Sequence, residues 1–367
     1  MKFGRSTLIA LCALCAGVLS LTAAAQAPTR TNREVVVEKA ATGYRWKLIV
    51  AAVPEVGPHE VLVRVHAAAL NHDDLNLLAP DPRHDHSGHI IGSDAAGEIV
   101  AVGASVTGLH RGERVTNTYF ADWTEGPFSS KSLAGMFGST LNGLFRDYIA
   151  LPETAVIPIP DGLSYEEAAT LPTAALTAWS AVTTGRQLRR GDVVVVQGTG
   201  GVSVFALQFA AAMGARVIVT SSSESKLQRA LALGASDGID YRSVPRWAGR
   251  VRDLTHSHGA DLVVDVGGKA TLEQSVQCLA DAGTLAVVGG LTGYDGVIPA
   301  AGLLAKDARA QAVYVGSRSD FQRMDDFIVS HHLHPVIDRV FPLENYEEAL
   351  KYLQSGSFVG KIVLRMP

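Results

Sequence analysis

The sequence predicts an α/β protein with two folded parts, a small antiparallel β-barrel followed by a doubly wound parallel sheet. Three observations carry that prediction. Residues 34–155 are rich in short strand patterns broken by turn residues. From residue 191 onward, apolar strand patterns alternate with helical ones. Between the two, Val193–Val196 is an unbroken apolar run that leads straight into a glycine-rich turn, the pattern of a parallel strand buried on both faces.

The elements follow in order. Glu60-Val-Leu-Val-Arg-Val-His66 alternates apolar and polar residues, a strand with one face buried. Residues 98–103 and 114–116 are further short strands, and Gly57-Pro58, Gly103, Gly108 and Gly112 punctuate them. Ser164 with Glu167 forms a capping box that opens a helix through Ala168, Ala169 and Leu171. Helices are expected over 202–213 and 225–233, and strands over 215–220, 261–265 and 283–288. The tail ends in the strand Lys361–Leu364, which suits a return to the first part. The expected organisation is therefore 34–160 together with 318–367 as the barrel domain, and 161–317 as the parallel-sheet domain.

Length and composition agree with this division. At 367 residues the chain is too long for one small core, and 47% hydrophobic with 19% charged residues is a globular balance. The formal net charge of −4 and the lack of any lysine/arginine run exclude a nucleic-acid surface. The partner expected is a small-molecule substrate.

The first 25 residues differ from the rest. Lys2 and Arg5 precede an apolar stretch from Leu8 to Leu21, and Ala23-Ala-Ala25 offers small residues before a cut ahead of Gln26. This layout reads as a secretory signal peptide over residues 1–25. It implies a periplasmic or extracellular protein if the signal is used and a cytoplasmic one otherwise. A retained segment would instead act as a membrane anchor, since the run approaches spanning length. Cleavage leaves Cys278 alone of the three cysteines, which excludes an internal disulfide and a cysteine-rich zinc site.

The sharpest motif is Gly198-Thr-Gly-Gly-Val-Ser203. Gly198 permits the tight turn, and Gly200 lets the backbone approach a pyrophosphate. Thr199, Gly201 and Val202 complete the loop, and the helix beginning there presents free N–H groups to an anion. Ser203 replaces the third glycine of the usual fingerprint but is small enough to keep helix and strand in contact. An ordinary glycine-rich turn, or a site for another nucleotide, is the alternative reading of the same residues. At the tip of the next strand, Ser221 and Ser222 lead to Glu224 and Lys226, with no acid where an NAD site places one. Hydroxyls and a lysine suit a 2′-phosphate, so NADPH is favoured over NADH. Tyr241-Arg242, after the third strand, is placed to cover the adenine or the phosphate.

With those stretches in view, the chain resembles the medium-chain dehydrogenase/reductase superfamily, in its zinc-lacking quinone-reductase-like branch. The resemblance rests on Glu60 through Leu75, Ile91-Gly-Ser-Asp-Ala-Ala-Gly-Glu-Ile-Val-Ala-Val-Gly103, the glycine motif, and Pro335-Val-Ile-Asp-Arg-Val-Phe341. It covers residues 34–366. It implies a GroES-like β-barrel domain and a Rossmann domain with the active site between them, hydride transfer with NADP(H), and pairing into a homodimer. The ligands of the zinc-dependent members fall on Asn71, on Ser93-Asp94 and near Thr173, poor donors for zinc as a set; no zinc and no other metal is expected. His84, His86 and His89, and His331, His332 and His334, are clusters that read as loop histidines rather than metal ligands.

The resulting expectation is an NADPH-dependent oxidoreductase acting on a quinone or an α,β-unsaturated carbonyl. A metal-free alcohol dehydrogenase and a non-catalytic dinucleotide-binding protein are the alternatives. Asn71 is expected to donate to a developing oxyanion. Asp74 orients the cleft or caps the following helix, and Thr173 lines the cleft. Arg318 and Lys361 are expected at the cofactor phosphates or ring amide, and the loop over 119–142 shapes substrate choice. Export and NADPH conflict, because this cofactor is not expected outside the cytoplasm.

Overall fold

The computed structural model describes residues 31–79, 85–183, 185 and 187–367. The signal-peptide reading over residues 1–25, and His84, lie outside the described residues. Among the described residues no helix is long and apolar enough to cross a membrane.

Strands β1 (Thr31–Lys39) and β2 (Tyr44–Ala52) form an antiparallel ribbon. Strands β3 (Glu60–Ala69), β4 (Ala95–Val102), β5 (Arg114–Asn117), β6 (Tyr148–Pro152) and β7 (Val156–Pro158) belong to one sheet. Strands β8 (Val193–Gln197), β9 (Arg216–Ser221), β10 (Asp237–Asp240), β11 (Ala260–Asp265), β12 (Leu279–Val287) and β13 (Arg309–Ala312) form a second. Strands β14 (Ile337–Pro342) and β15 (Lys361–Arg365) return to the first, where β15 pairs antiparallel with β3.

The second sheet is parallel, in the order β10-β9-β8-β11-β12-β13. That is the dinucleotide-binding order, with the crevice above the reversal between β8 and β11. Its central strands β8 and β11 are fully buried, which explains the continuous Val193–Val196 run, while the edge strand β13 is exposed. The fold class is thus a GroES-like β-barrel joined to a Rossmann sheet. The helix Arg318–Ser330 packs Phe321, Met324 and Ile328 into the core that also holds Val194, Leu176 and Phe209.

Two places depart from the sequence pattern. The expected helix after Ser164 starts on its capping box but converts to a π-helical turn over Leu171–Ala175 before continuing as Leu176–Thr183. Pro172 stands at the start of that turn, and a widened turn of this kind is common where a side chain must be re-aimed. The helix Trp247–Leu254 was not apparent from the sequence, because only Trp247, Ala248 and Val251 are buried in it.

The approach to the site is fixed by one glycine. Gly92 has φ +90°, and a Cβ there would fall 2.0 Å from Cδ1 of Phe145, itself wholly buried. Gly92→Ala is therefore expected to destabilise the protein by about 3 kcal/mol or more. A fall in the urea midpoint, with far-ultraviolet circular dichroism retained at zero urea, is the check.

Candidate active site

The glycine loop follows from β8. Gly198 takes φ +75°, and its N–H donates to Thr220 O at 2.7 Å, which locks the loop to β9. Gly200 is the N-cap of the helix Gly201–Ala212, and no side chain caps it. The amides of Gly201, Val202 and Ser203 are thus in the first turn, where no intrahelical acceptor exists. A Cβ on Gly200 would meet nothing within 4 Å, so the space above the helix end is open to an anion. Ser203 is buried and its Oγ donates to Gln197 O at 2.7 Å. This hydroxyl satisfies the last carbonyl of β8 and keeps helix and strand together without the third glycine. Thr199 is buried and its carbonyl accepts from Gly360 N–H at 2.9 Å.

A second feature stiffens the crevice. Asp265, at the end of β11 and wholly buried, accepts from the amides of Gly267 and Gly268 at 3.0 and 2.9 Å and from Thr271 Oγ1 at 2.8 Å. Gln197 Nε2 also donates to it at 3.0 Å. Sequence reasoning passed over this residue, although an acid closing an apolar strand was visible.

At the tip of β9, Ser221 is buried and Ser222 half-buried. Ser223 caps the helix Glu224–Ala232 by accepting from Lys226 N–H. Tyr241 N–H donates to Ser221 O at 3.0 Å, which brings Tyr241 and Arg242 to the same edge. Burial, and then Arg242, hold the Lys226 ammonium below its usual pKa. Lys226 also donates to Gly356 O. The edge therefore carries two neighbouring cations and hydroxyls, with Tyr241 exposed beside them.

The positions that the resemblance gives to zinc ligands do converge, though not around a metal. Asn71 Nδ2 donates to Asp94 Oδ2 at 2.8 Å and to Ser93 Oγ at 3.1 Å. Thr173 Oγ1, on the π-helical turn, donates to Asp94 Oδ1 at 2.5 Å and lies 3.2 Å from Ser93 Oγ. Lys361 Nζ donates to Asn71 Oδ1 at 2.6 Å and to Leu70 O at 2.7 Å. It stands 3.7 Å from Asp94 Oδ2. Burial pushes the Asp94 carboxyl up and the Lys361 ammonium down, and their mutual attraction opposes both shifts. No group of three His, Cys, Asp or Glu side chains that could hold a metal occurs among the described residues.

Three expectations need correction here. Asn71 cannot donate to an oxyanion as arranged, because both N–H donors of its amide are taken by Asp94 and Ser93. Of the two places expected for Lys361, the phosphates or the ring amide, the phosphates are not met by its ammonium: the stem passes Gly201, and the head lies in the polar cluster, drawn there by Asp94 and the Asn71 carbonyl. Arg318 is held elsewhere, its Nη2 donating to Val156 O at 2.9 Å and its backbone N–H to Trp123 O. It ties the helix Arg318–Ser330 to the barrel instead of meeting a phosphate. Asp74 takes the capping role of its two: its carboxylate accepts from Asn71 N–H at 2.7 Å at the start of the 3-10 helix His72–Leu78.

The wall of the cleft is aromatic. Phe120, Trp123 and Phe128 cluster with Tyr314, whose ring stacks on Phe128 at 5.2 Å. Tyr119 and Tyr314 hydroxyls both point at Met136 Sδ. Burial, then the Asp73 carboxylate, raise the pKa of Tyr294 and Tyr314. Of the clustered histidines, His334 Nδ1 meets Glu167 Oε1 at 2.8 Å and His331 stacks on Phe327. His86 packs edge-on against Tyr44.

Comparison with known proteins now decides the lineage. Residues 57–161 match the alcohol dehydrogenase GroES-like domain family, and residues 201–330 match the family described as zinc-binding dehydrogenase. A zinc-type alcohol dehydrogenase-like protein of Schizosaccharomyces pombe is 40% identical over 325 residues, 86% of this chain and 93% of its own length. The chain belongs to the medium-chain dehydrogenase/reductase superfamily. A quinone oxidoreductase of Pseudomonas aeruginosa is 35% identical over 65% of this chain and 67% of its own. A solved NAD-dependent alcohol dehydrogenase superposes with TM-score 0.81 at 36% identity, covering 91% of this chain and all of that one. A medium-chain dehydrogenase/reductase of this kind is an oxidoreductase that uses a nicotinamide dinucleotide, and the glycine loop is where its diphosphate fits.

The superfamily's zinc, by contrast, does not fit the donors found here. One carboxylate, one amide and two hydroxyls converge with an ammonium already among them. Sequence reasoning named Asp94 and Ser93 only as substituted positions. Their central place needed the structure, although Gly92-Ser-Asp94 in the family's ligand register was the signal.

Burial, reinforced by Asp94, pushes the Asp74 carboxyl to about 7. A carboxyl raised this way favours the folded state when protonated, so its contribution to stability falls as pH climbs from about 4 to about 7. Asp74→Asn removes that loss. The melting-temperature difference between Asp74→Asn and the parent should grow more positive from about pH 4.5 to about pH 7 and level off above that. A difference independent of pH would contradict the assignment.

Proposed function

We propose that this medium-chain dehydrogenase/reductase transfers hydride from NADPH to a quinone or an activated α,β-unsaturated carbonyl, and does so without zinc. The observation that carries the proposal is the donor set around Asp94, in which an ammonium 3.7 Å from the carboxylate supplies the positive charge. A simple alcohol or ketone needs strong polarisation of its oxygen; a conjugated acceptor needs less, and one hydrogen-bond donor serves it.

The hydrogen bonds favour one donor. Thr173 gives its hydroxyl hydrogen to Asp94, and Ser93 Oγ accepts from Asn71. The Ser93 hydroxyl hydrogen is committed to no carboxylate and faces only Thr173 Oγ1 at 3.2 Å. It is the group free to turn toward a substrate carbonyl oxygen, the part first expected of Asn71. When bound, the cofactor supplies the hydride. The first-turn amides at Gly201–Ser203 hold its diphosphate, and Asp265 keeps the opposite loop in place. The stacked faces of Phe128 and Tyr314 suit a flat conjugated acceptor. The name of the Pseudomonas aeruginosa relative supports the same substrate class.

NADPH over NADH is supported by Ser221, Ser222, Lys226 and Arg242 at the tip of β9, where a carboxylate would repel the extra phosphate. Lys226→Ala is expected to weaken NADPH about tenfold while leaving NADH unchanged, the loss of one charge-assisted contact. Fluorescence titration of both nucleotides reads this, and equal affinities in the parent protein would overturn the preference. Activity is tested by NADPH consumption with a panel of quinones and enones, with alcohols plus NADP+ as the reverse arm. Turnover of the conjugated acceptors, unchanged by a metal chelator, is expected. No turnover, or its loss on chelation, would overturn the reading.

A further inference from the structure

Lys361 joins three parts of the site that lie far apart in sequence. The residue before it is tied to the glycine loop through Gly360 N–H to Thr199 O. Its stem runs along the first turn of the dinucleotide helix, where a Cβ on Gly201 would come within 2.6 Å of Lys361 Cδ. Its ammonium, in a side chain only 3% exposed, ends between Leu70 O, Asn71 Oδ1 and the wholly buried Asp94.

The direction of the hydrogen-bond chain depends on that ammonium. An amide beside a cation must turn its oxygen to it and its N–H groups away. Asn71 therefore donates to Asp94 and Ser93, and the Ser93 hydroxyl is left as a donor. Without the cation the buried Asp94 carboxyl takes up a proton, the amide can flip so that its oxygen accepts from Asp94 and from Ser93, and the donor is lost. Removing one partner of a buried ion pair also leaves the other uncompensated.

We propose that Lys361 is a positioning residue that takes the place of a metal ion: its ammonium balances Asp94, fixes the Asn71 amide and so frees the Ser93 hydroxyl for the substrate. This rests on the metal-free reading above and adds to it the group that enforces it. Lys361 acts through Asn71, not on the reacting atoms.

The test compares Lys361→Met, Ser93→Ala, their double variant and Asp94→Asn/Lys361→Met with the parent. Lys361→Met and Ser93→Ala should each lower kcat about a hundredfold, the loss of one preorganised donor, with NADPH affinity unchanged. Their double variant should be no slower than either single, because both remove the same donor. Lys361→Met should melt well below the parent. Asp94→Asn/Lys361→Met, which removes both charges, should recover the melting temperature but not kcat. Additive losses in the double variant, or parent turnover in Asp94→Asn/Lys361→Met, would overturn the inference.

Two readouts need no turnover. The parent purified from zinc-containing medium should carry no stoichiometric zinc by elemental mass spectrometry; one zinc per chain would overturn the inference. If the parent reduces no quinone or enone, the proposed function fails while Lys361 is still judged on zinc content and on the two melting temperatures. Equal melting of Lys361→Met and parent would then reject it.

Discussion

A buried ammonium 3.7 Å from a buried carboxylate is the constraint on which the rest of the site depends. Taking either charge out of water costs several kcal/mol, and their attraction offsets this only when the remaining hydrogen-bonding capacity is filled. Here it is filled from four separate stretches of chain. The end of β3 gives Leu70 O and Asn71, the loop before β4 gives Ser93, the π-helical turn gives Thr173, and β15 gives Lys361 itself. Each must arrive in register, or one charge is stranded. Gly92, whose φ of +90° and contact with Phe145 set the backbone before Ser93, and the turn at Leu171–Ala175, which carries Thr173, hold two of these stretches.

The same requirement explains why β15 returns to the barrel through the cofactor side. Gly360 bonds the glycine loop, and the next residue sends its ammonium into the substrate side. The dinucleotide loop and the polar cluster are thereby joined by a single side chain, so neither can shift far without the other. Asp265 plays a matching part across the crevice, drawing the amides after β11 inward.

Much of the fold was legible because its signals are local. An apolar run such as Val193–Val196, a glycine turn and a capping box at Ser164 declare themselves within a few residues. The cofactor loop was legible for the same reason, down to the tolerance of Ser203. The polar cluster was legible only as a set of substitutions at Asn71, Ser93-Asp94 and Thr173. Its wiring was not, since the Asn71 amide is oriented by a lysine 290 residues away. Lys361 and Arg318 were read as contacts to the cofactor phosphates or ring amide because a cation in sequence carries no address. Burial and the nearest carboxylate or carbonyl decide where each head rests.

The ring stack at the mouth of the cleft has a mechanical meaning. Phe128 belongs to a loop of the barrel, and Tyr314 leaves the edge strand of the Rossmann sheet. A motion that parted the two sheets at this point would break the ring contact. A stacked pair contributes about 1 kcal/mol, a several-fold bias toward keeping these two rings together. A flat molecule wedged between the rings would exchange one stack for two and serve as its own latch.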